Sequence, residues 1–131
     1  MRYIPPFIVL RNEATTATVR GKVLVTMSYD AFLRIIKMIL ATVDVDEGWY
    51  LRQYDDIAAA VRNGTIKSGR SHFIEDGYFE GRLPFPIKVD ERWYLQQNPD
   101  VAQDIRDGKL ASGQAHFDAD GYREGRLPFP L

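Results

Sequence analysis

Apolar and polar residues alternate with a period of two from Thr16 to Met27. Ala17, Val19, Val23, Val25 and Met27 share one parity, and Thr16, Thr18, Arg20, Lys22 and Thr26 the other. Only Leu24 breaks the polar set. Such alternation predicts a strand with one face buried. Arg20-Gly21 offers a place to fold the stretch into a hairpin, because glycine accepts the positive φ of a tight turn. The residues leave both options open, one long strand or two short ones. Upstream, Phe7-Ile8-Val9-Leu10 predicts a short strand, preceded by an extended arm over 1–6 whose two prolines oppose helix.

After Met27 the period changes. Ser28 suits an N-cap and Asp30 a first turn, so a helix is expected from about Tyr29 to Val43. On a helical wheel Phe32, Leu33, Ile35, Ile36, Met38, Ile39, Leu40 and Val43 cover more than half the circumference, leaving a narrow strip to Asp30, Arg34, Lys37 and Ala41. A surface helix covering one core needs a narrower apolar arc. The expectation is a helix that also meets a second copy of the chain, with Phe32, Ile35, Ile36, Ile39, Leu40 and Val43 as the oligomerisation residues.

The remaining chain is a duplication. Residues 45–87 return at 89–131 with a constant offset of 44, and 25 of the 43 pairs are identical. Each copy opens with Asp-Glu ahead of Trp-Tyr-Leu, acids that suit a helix N-terminus, with Trp49, Leu51, Trp93 and Leu95 on the expected core face. In the second copy Asn98-Pro99-Asp100 restarts a helix, with Asn as N-cap and Pro at the first position. The first copy has Tyr54-Asp55-Asp56 there. These second helices should bury Ile57, Ala58 and Val61, or Val101, Ala102 and Ile105, and stop at Gly64 and Gly108. Ser68 and Ser112 can cap a third short helix that carries His-Phe and ends at Gly77 or Gly121. Leu-Pro-Phe-Pro then forms an extended strap. Leu127–Pro130 joins nothing to a further copy in this sequence, so the strap is expected to pack on its own copy.

The string WYL-x-x-N-P-D-V-A at 93–102, followed by Gly108, Ser112, His116-Phe117, Gly121-Tyr122 and Glu124-Gly125-Arg126-Leu127-Pro128, resembles a short bacterial repeat. That repeat occurs singly or in tandem beside glycosyltransferase-like or cell-envelope-associated regions. The resemblance covers 45–131 and implies no defined activity. It carries no catalytic residue onto this chain.

Composition narrows the classes. Hydrophobic residues are 45% and charged residues 27%, the balance of a folded soluble chain. Without cysteine there is no disulfide, thiolate metal site or cysteine nucleophile. No signal-peptide pattern opens the sequence and no apolar run reaches bilayer length, so a cytoplasmic protein without a membrane span is expected. The net charge of −1 divides into +4 over residues 1–43 and −5 over 44–131. Opposed charge could favour assembly, but four net positive charges are thin support for nucleic acid.

Candidate chemistry is sparse. Ser68, His72 and Asp76 recur as Ser112, His116 and Asp120, the residue types of a hydrolase triad. Their spacing of four lines them along one helix face, whereas a triad needs serine and carboxylate on opposite nitrogens of one imidazole. His72 or His116 with an aspartate supplies too few ligands for zinc. The alternative is a partly buried histidine bonded to an aspartate or a backbone carbonyl. Arg82 and Arg126, beside Glu80 and Glu124, either fix the last turn as ion pairs or contact a partner, glycan or nucleotide sugar. Trp49, Tyr50, Trp93 and Tyr94 either stack on sugars or pack in the core.

The expected class is α+β: an N-terminal β-hairpin and helix over 1–43, then helical repeats at 45–87 and 89–131. The leading expectation is a non-catalytic, cofactor-free scaffold that self-associates and binds another protein. The alternatives are a ligand-binding accessory factor of envelope polysaccharide synthesis and a small DNA-binding regulator.

Overall fold

The computed structural model describes residues 3–131, so the first two residues of the expected arm lie outside the described residues. The chain divides into two compact units, the first ending at Pro84 and the second running from Phe85 to Leu131. It is a mixed α+β protein. The first unit holds α1 (Phe7–Arg11), β1 (Thr15–Val19), β2 (Lys22–Thr26), α2 (Tyr29–Leu40), α3 (Glu47–Gln53), α4 (Asp55–Arg62) and α5 (Gly69–His72), which runs into a π-helical turn at Phe73–Gly77. The second holds α6 (Glu91–Gln97), α7 (Pro99–Arg106), α8 (Gly113–His116) and a π-helical turn at Phe117–Gly121. The N-terminal 43 residues, expected as an element of their own, thus share a unit with α3–α5.

Phe7–Leu10 is helical, not a strand. The Pro6 carbonyl accepts from the Val9 N–H at 2.9 Å, and the Ile8 carbonyl from Asn12 at 3.1 Å. Proline lacks only a donor, so one that stands just before a helix still serves it as an acceptor.

The stretch 15–26 is a hairpin. Arg20 and Gly21 have φ of 51° and 76°, the pair of positive values that a two-residue type I′ turn requires. The expected buried face is absent: all ten strand residues are exposed. The reason lies in the turn. Pairing Ala17 with Leu24 and Thr18 with Val23 sets odd positions of β1 beside even positions of β2. Leu24 therefore joins Ala17 and Val19 on one face, while Val23 and Val25 lie with Thr16 and Thr18 on the other. Folding the segment split its apolar set between both faces.

Ser28 caps α2, its Oγ accepting from the Ala31 N–H at 3.1 Å. The helix stops at Leu40, three residues short of Val43. Thr42 Oγ1 donates to the Ile39 carbonyl at 2.7 Å, and the Arg70 guanidinium donates to the Ala41 and Val43 carbonyls at 2.6 and 2.7 Å. Those bonds satisfy carbonyls that a helix end leaves open.

The core of the first unit comprises Leu40, Tyr50, Ile57 and Phe73, with Ile36, Val43, Val45, Trp49 and Leu51 packed around it. In the second unit Val89, Tyr94, Val101 and Phe117 are buried. The most buried residue of each opening helix is thus tyrosine, not the flanking Trp or Leu. Tyr50 and Tyr94 are fully inaccessible, which a phenol tolerates only if its hydroxyl finds a partner. The strap packs on its own copy at its start. The Pro84 carbonyl accepts from the Asp46 N–H at 3.0 Å and Pro128 from Asp90 at 2.9 Å. The Leu83 N–H donates to the Tyr54 hydroxyl at 2.9 Å.

Candidate functional site

The polar residues singled out in the sequence are held by their own units. Ser68 Oγ accepts from the Ser71 N–H at 3.0 Å, and Ser112 Oγ from Ala115 at 3.0 Å, so both serines are caps. His72 Nδ1 shares a hydrogen bond of 2.9 Å with the Tyr50 hydroxyl, and His116 Nδ1 one of 2.9 Å with Tyr94. The partner is a tyrosine, not the expected aspartate or backbone carbonyl. Asp76 and Asp120 lie exposed. Serine, histidine and aspartate therefore do not converge. Among the described residues, no group of three His, Asp or Glu side chains is placed to hold a metal.

Gly77 and Gly121 make room for these tyrosine–histidine pairs. A Cβ at either glycine would press on the tyrosine hydroxyl and lie 3.1–3.2 Å from histidine Nδ1. The π-helical turn carries each glycine over the pair. Burial pushes the Tyr50 hydroxyl well above the ordinary phenol range and raises that of Tyr94, so both stay neutral beside the imidazole. Glu47 has a second duty that its position at the start of α3 does not announce. Its carboxylate accepts from the Gly69 and Arg70 N–H groups at 2.6 and 2.9 Å. Glu91 does the same for Gly113 and Gln114.

Arg82 and Arg126 form carboxylate forks. Arg82 holds both oxygens of Asp56, at 2.9 and 2.6 Å, and Glu80 at 2.8 Å. Arg126 holds Asp100 at 2.9 and 2.7 Å and Glu124 at 2.7 Å. The difference between Tyr54 and Asn98 now has a physical account. The Arg82 guanidinium lies 4.8 Å from the centre of the Tyr54 ring, whereas Arg126 donates to Asn98 Oδ1 at 2.8 Å. One copy supports its arginine with a π face, the other with an amide oxygen.

The bond from Arg126 holds the Asp100 carboxyl down at about 2 from its ordinary 3.8. Since the folded value is the lower one, Asp100 stabilises the second unit above pH 3.8, and the gain disappears as pH falls through about 2. The Asp100 side chain is 61% exposed, so the gain should be about 1 kcal/mol or less. Acid titration of melting temperature should show a small drop across that window, smaller in Asp100→Asn, where only Asp56, lowered by its bond from Arg82, still contributes. An unchanged drop in that variant would assign it elsewhere.

Most of the exposed large apolar side chains are N-terminal, with others at Tyr78, Phe79, Phe85, Leu127, Phe129 and Leu131. Phe7 is 76% exposed, Val23 69% and Val25 60%, and Ile8, Val9, Val19, Leu24 and Tyr29 are exposed as well. The stripe expected on α2 is shared between two duties. Ile36, Leu40 and Val43 belong to the core of the first unit, while Phe32 and Ile39 are exposed and Ile35 is half-buried. The hairpin and α1 residues escaped the sequence reading. Reversing strand parity at Arg20-Gly21 would have placed Leu24, Val23 and Val25 on separate open faces.

No family model, curated protein or solved structure matches the chain. Among the described residues, no helix is long and apolar enough to cross a membrane.

Proposed function

We propose that the protein is a non-catalytic interaction scaffold that self-associates through its N-terminal segment and displays two copies of one helical repeat. The observation that carries the reading is the run of exposed apolar side chains from Phe7 to Ile39. Exposed apolar side chains gathered in one stretch of the chain support association, whether or not they share one face. A two-stranded hairpin is also marginal by itself, and here every strand residue is exposed. The repeat reading is supported by equal local chemistry. The serine cap, the tyrosine–histidine bond, the arginine fork and the strap bond each occur once in α3–α5 with its strap and once in α6–α8 with its strap.

Arginines committed to their own carboxylates give less support to a glycan or nucleotide-sugar site, since an anionic ligand would have to displace Asp56 or Asp100. Phe32→Asp with Ile39→Asp is the informative substitution for assembly, because both side chains are exposed. Ile36→Asp would instead put a charge against the core. Light scattering should give more than one copy per particle for the unaltered chain and a lower mass for the double variant. A single-copy mass at micromolar concentration for the unaltered chain would overturn self-association.

A further inference from the structure

Among the described residues, nothing pairs with either outer edge of the β1–β2 hairpin. The two-residue turn makes Val19 and Lys22 a hydrogen-bonded pair, and inward and outward backbone groups alternate from there. Thr16 and Thr18 on β1, and Val23 and Val25 on β2, thus point their N–H and C=O groups outward. Among the described residues, none of these groups bonds to the backbone of another segment. We propose that β2 pairs antiparallel with β2 of a second copy, about a two-fold axis at Leu24. This rests on the self-association reading above and adds a contact to the one tested at Phe32 and Ile39.

The residues select both the strand and the occupant. With the axis at Leu24, Val23 of one copy lies beside Val25 of the other, and the two Leu24 side chains are neighbours. These are among the most exposed apolar residues of the hairpin, at 69%, 60% and 48%. The charged residue of β2, Lys22, falls opposite Thr26, so the two ammonium groups stand at opposite ends and never face each other. The same operation on β1 would set Thr16 beside Thr18 and alanine beside alanine, covering far less apolar surface. A foreign strand would have to supply the matching pattern, whereas a second copy contains it: apolar meets apolar at the three central positions. The closed two-fold contact uses one patch twice. It also turns two strands into four, past the three that a small sheet needs for stability.

The chain has no cysteine, so single-cysteine variants report the contact directly. Across the axis the Leu24 positions form a non-hydrogen-bonded pair with Cα atoms about 4.5 Å apart, within the reach of a disulfide. Under copper–phenanthroline in air, Leu24→Cys should convert from 15.0 kDa to a covalent pair of twice that mass, and Ala17→Cys on β1 should not. Val25→Pro, which removes an outward N–H, should lose the doubled mass in light scattering, and Thr16→Pro on the opposite edge should keep it. If the unaltered chain has the doubled mass but Leu24→Cys does not cross-link, the β2 contact is overturned and self-association stands. A single-copy mass for the unaltered chain overturns both. Equal cross-linking of the two cysteine variants means random collision and also overturns the β2 contact.

Discussion

Gly77→Ala is expected to destabilise the first unit by about 2–6 kcal/mol, measured as a fall in the denaturant midpoint of its transition. Two costs combine. The added methyl overpacks a site bounded by Tyr50 and His72, and overpacking costs roughly 1–3 kcal/mol. Relief requires the tyrosine to withdraw from His72 Nδ1, leaving buried polar atoms without partners at a further cost of about 1–3 kcal/mol. Tyr50→Phe keeps the ring and removes only the hydroxyl, so it should show about the second cost alone. Gly121→Ala should act likewise on the second unit through Tyr94 and His116. If Gly77→Ala proved as stable as the unaltered chain, the tyrosine–histidine pair would not be what the π-helical turn accommodates.

Adjacent residues of α2 should differ as sharply. Leu40 is 5% exposed in the core with Tyr50, Ile57 and Phe73, and Leu40→Ala should cost about 2–5 kcal/mol through the cavity it leaves. Ile39 is 44% exposed, so Ile39→Ala should change the stability of the dilute chain by about 0.5 kcal/mol or less. Its effect should appear in the assembled fraction at higher concentration. Chemical denaturation at low concentration, paired with light scattering at high concentration, separates the two. Equal losses of folding stability would show that both residues serve one interior.

Much of the fold was legible because its signals are local. Ser28, Ser68 and Ser112 stand at the starts of their helices, and Gly64 and Gly108 follow the ends of theirs with φ of 79° and 74°. Each such mark is decided by a few neighbouring bonds. What was not legible depends on distant partners. Tyr50 meets His72 across 22 positions, and Glu47 meets Gly69 across the same span. Nothing beside Tyr50 says that its hydroxyl will be satisfied, so the larger Trp49 looked the better core residue. The hairpin misled for a geometric reason, since parity read along a straight strand does not survive a two-residue turn. The α2 stripe was visible as an excess of apolar residues. How it is divided between core and open surface depends on where α3 and the π-helical turn pack.

The bonds from Asp46 to Pro84 and from Asp90 to Pro128 tie the last stretch of each copy to its first. Each module is thereby nearly a closed ring, needing neither a predecessor nor a successor to complete its backbone pairing at that joint. The first module has in addition a neighbour that the second lacks in this form, since Leu40 of α2 completes the core around Tyr50 and Arg70 holds the Ala41 and Val43 carbonyls. By the ring closure, a version of the second module cut open at the Asp107-Gly108 loop and rejoined through its termini should retain its internal bonds.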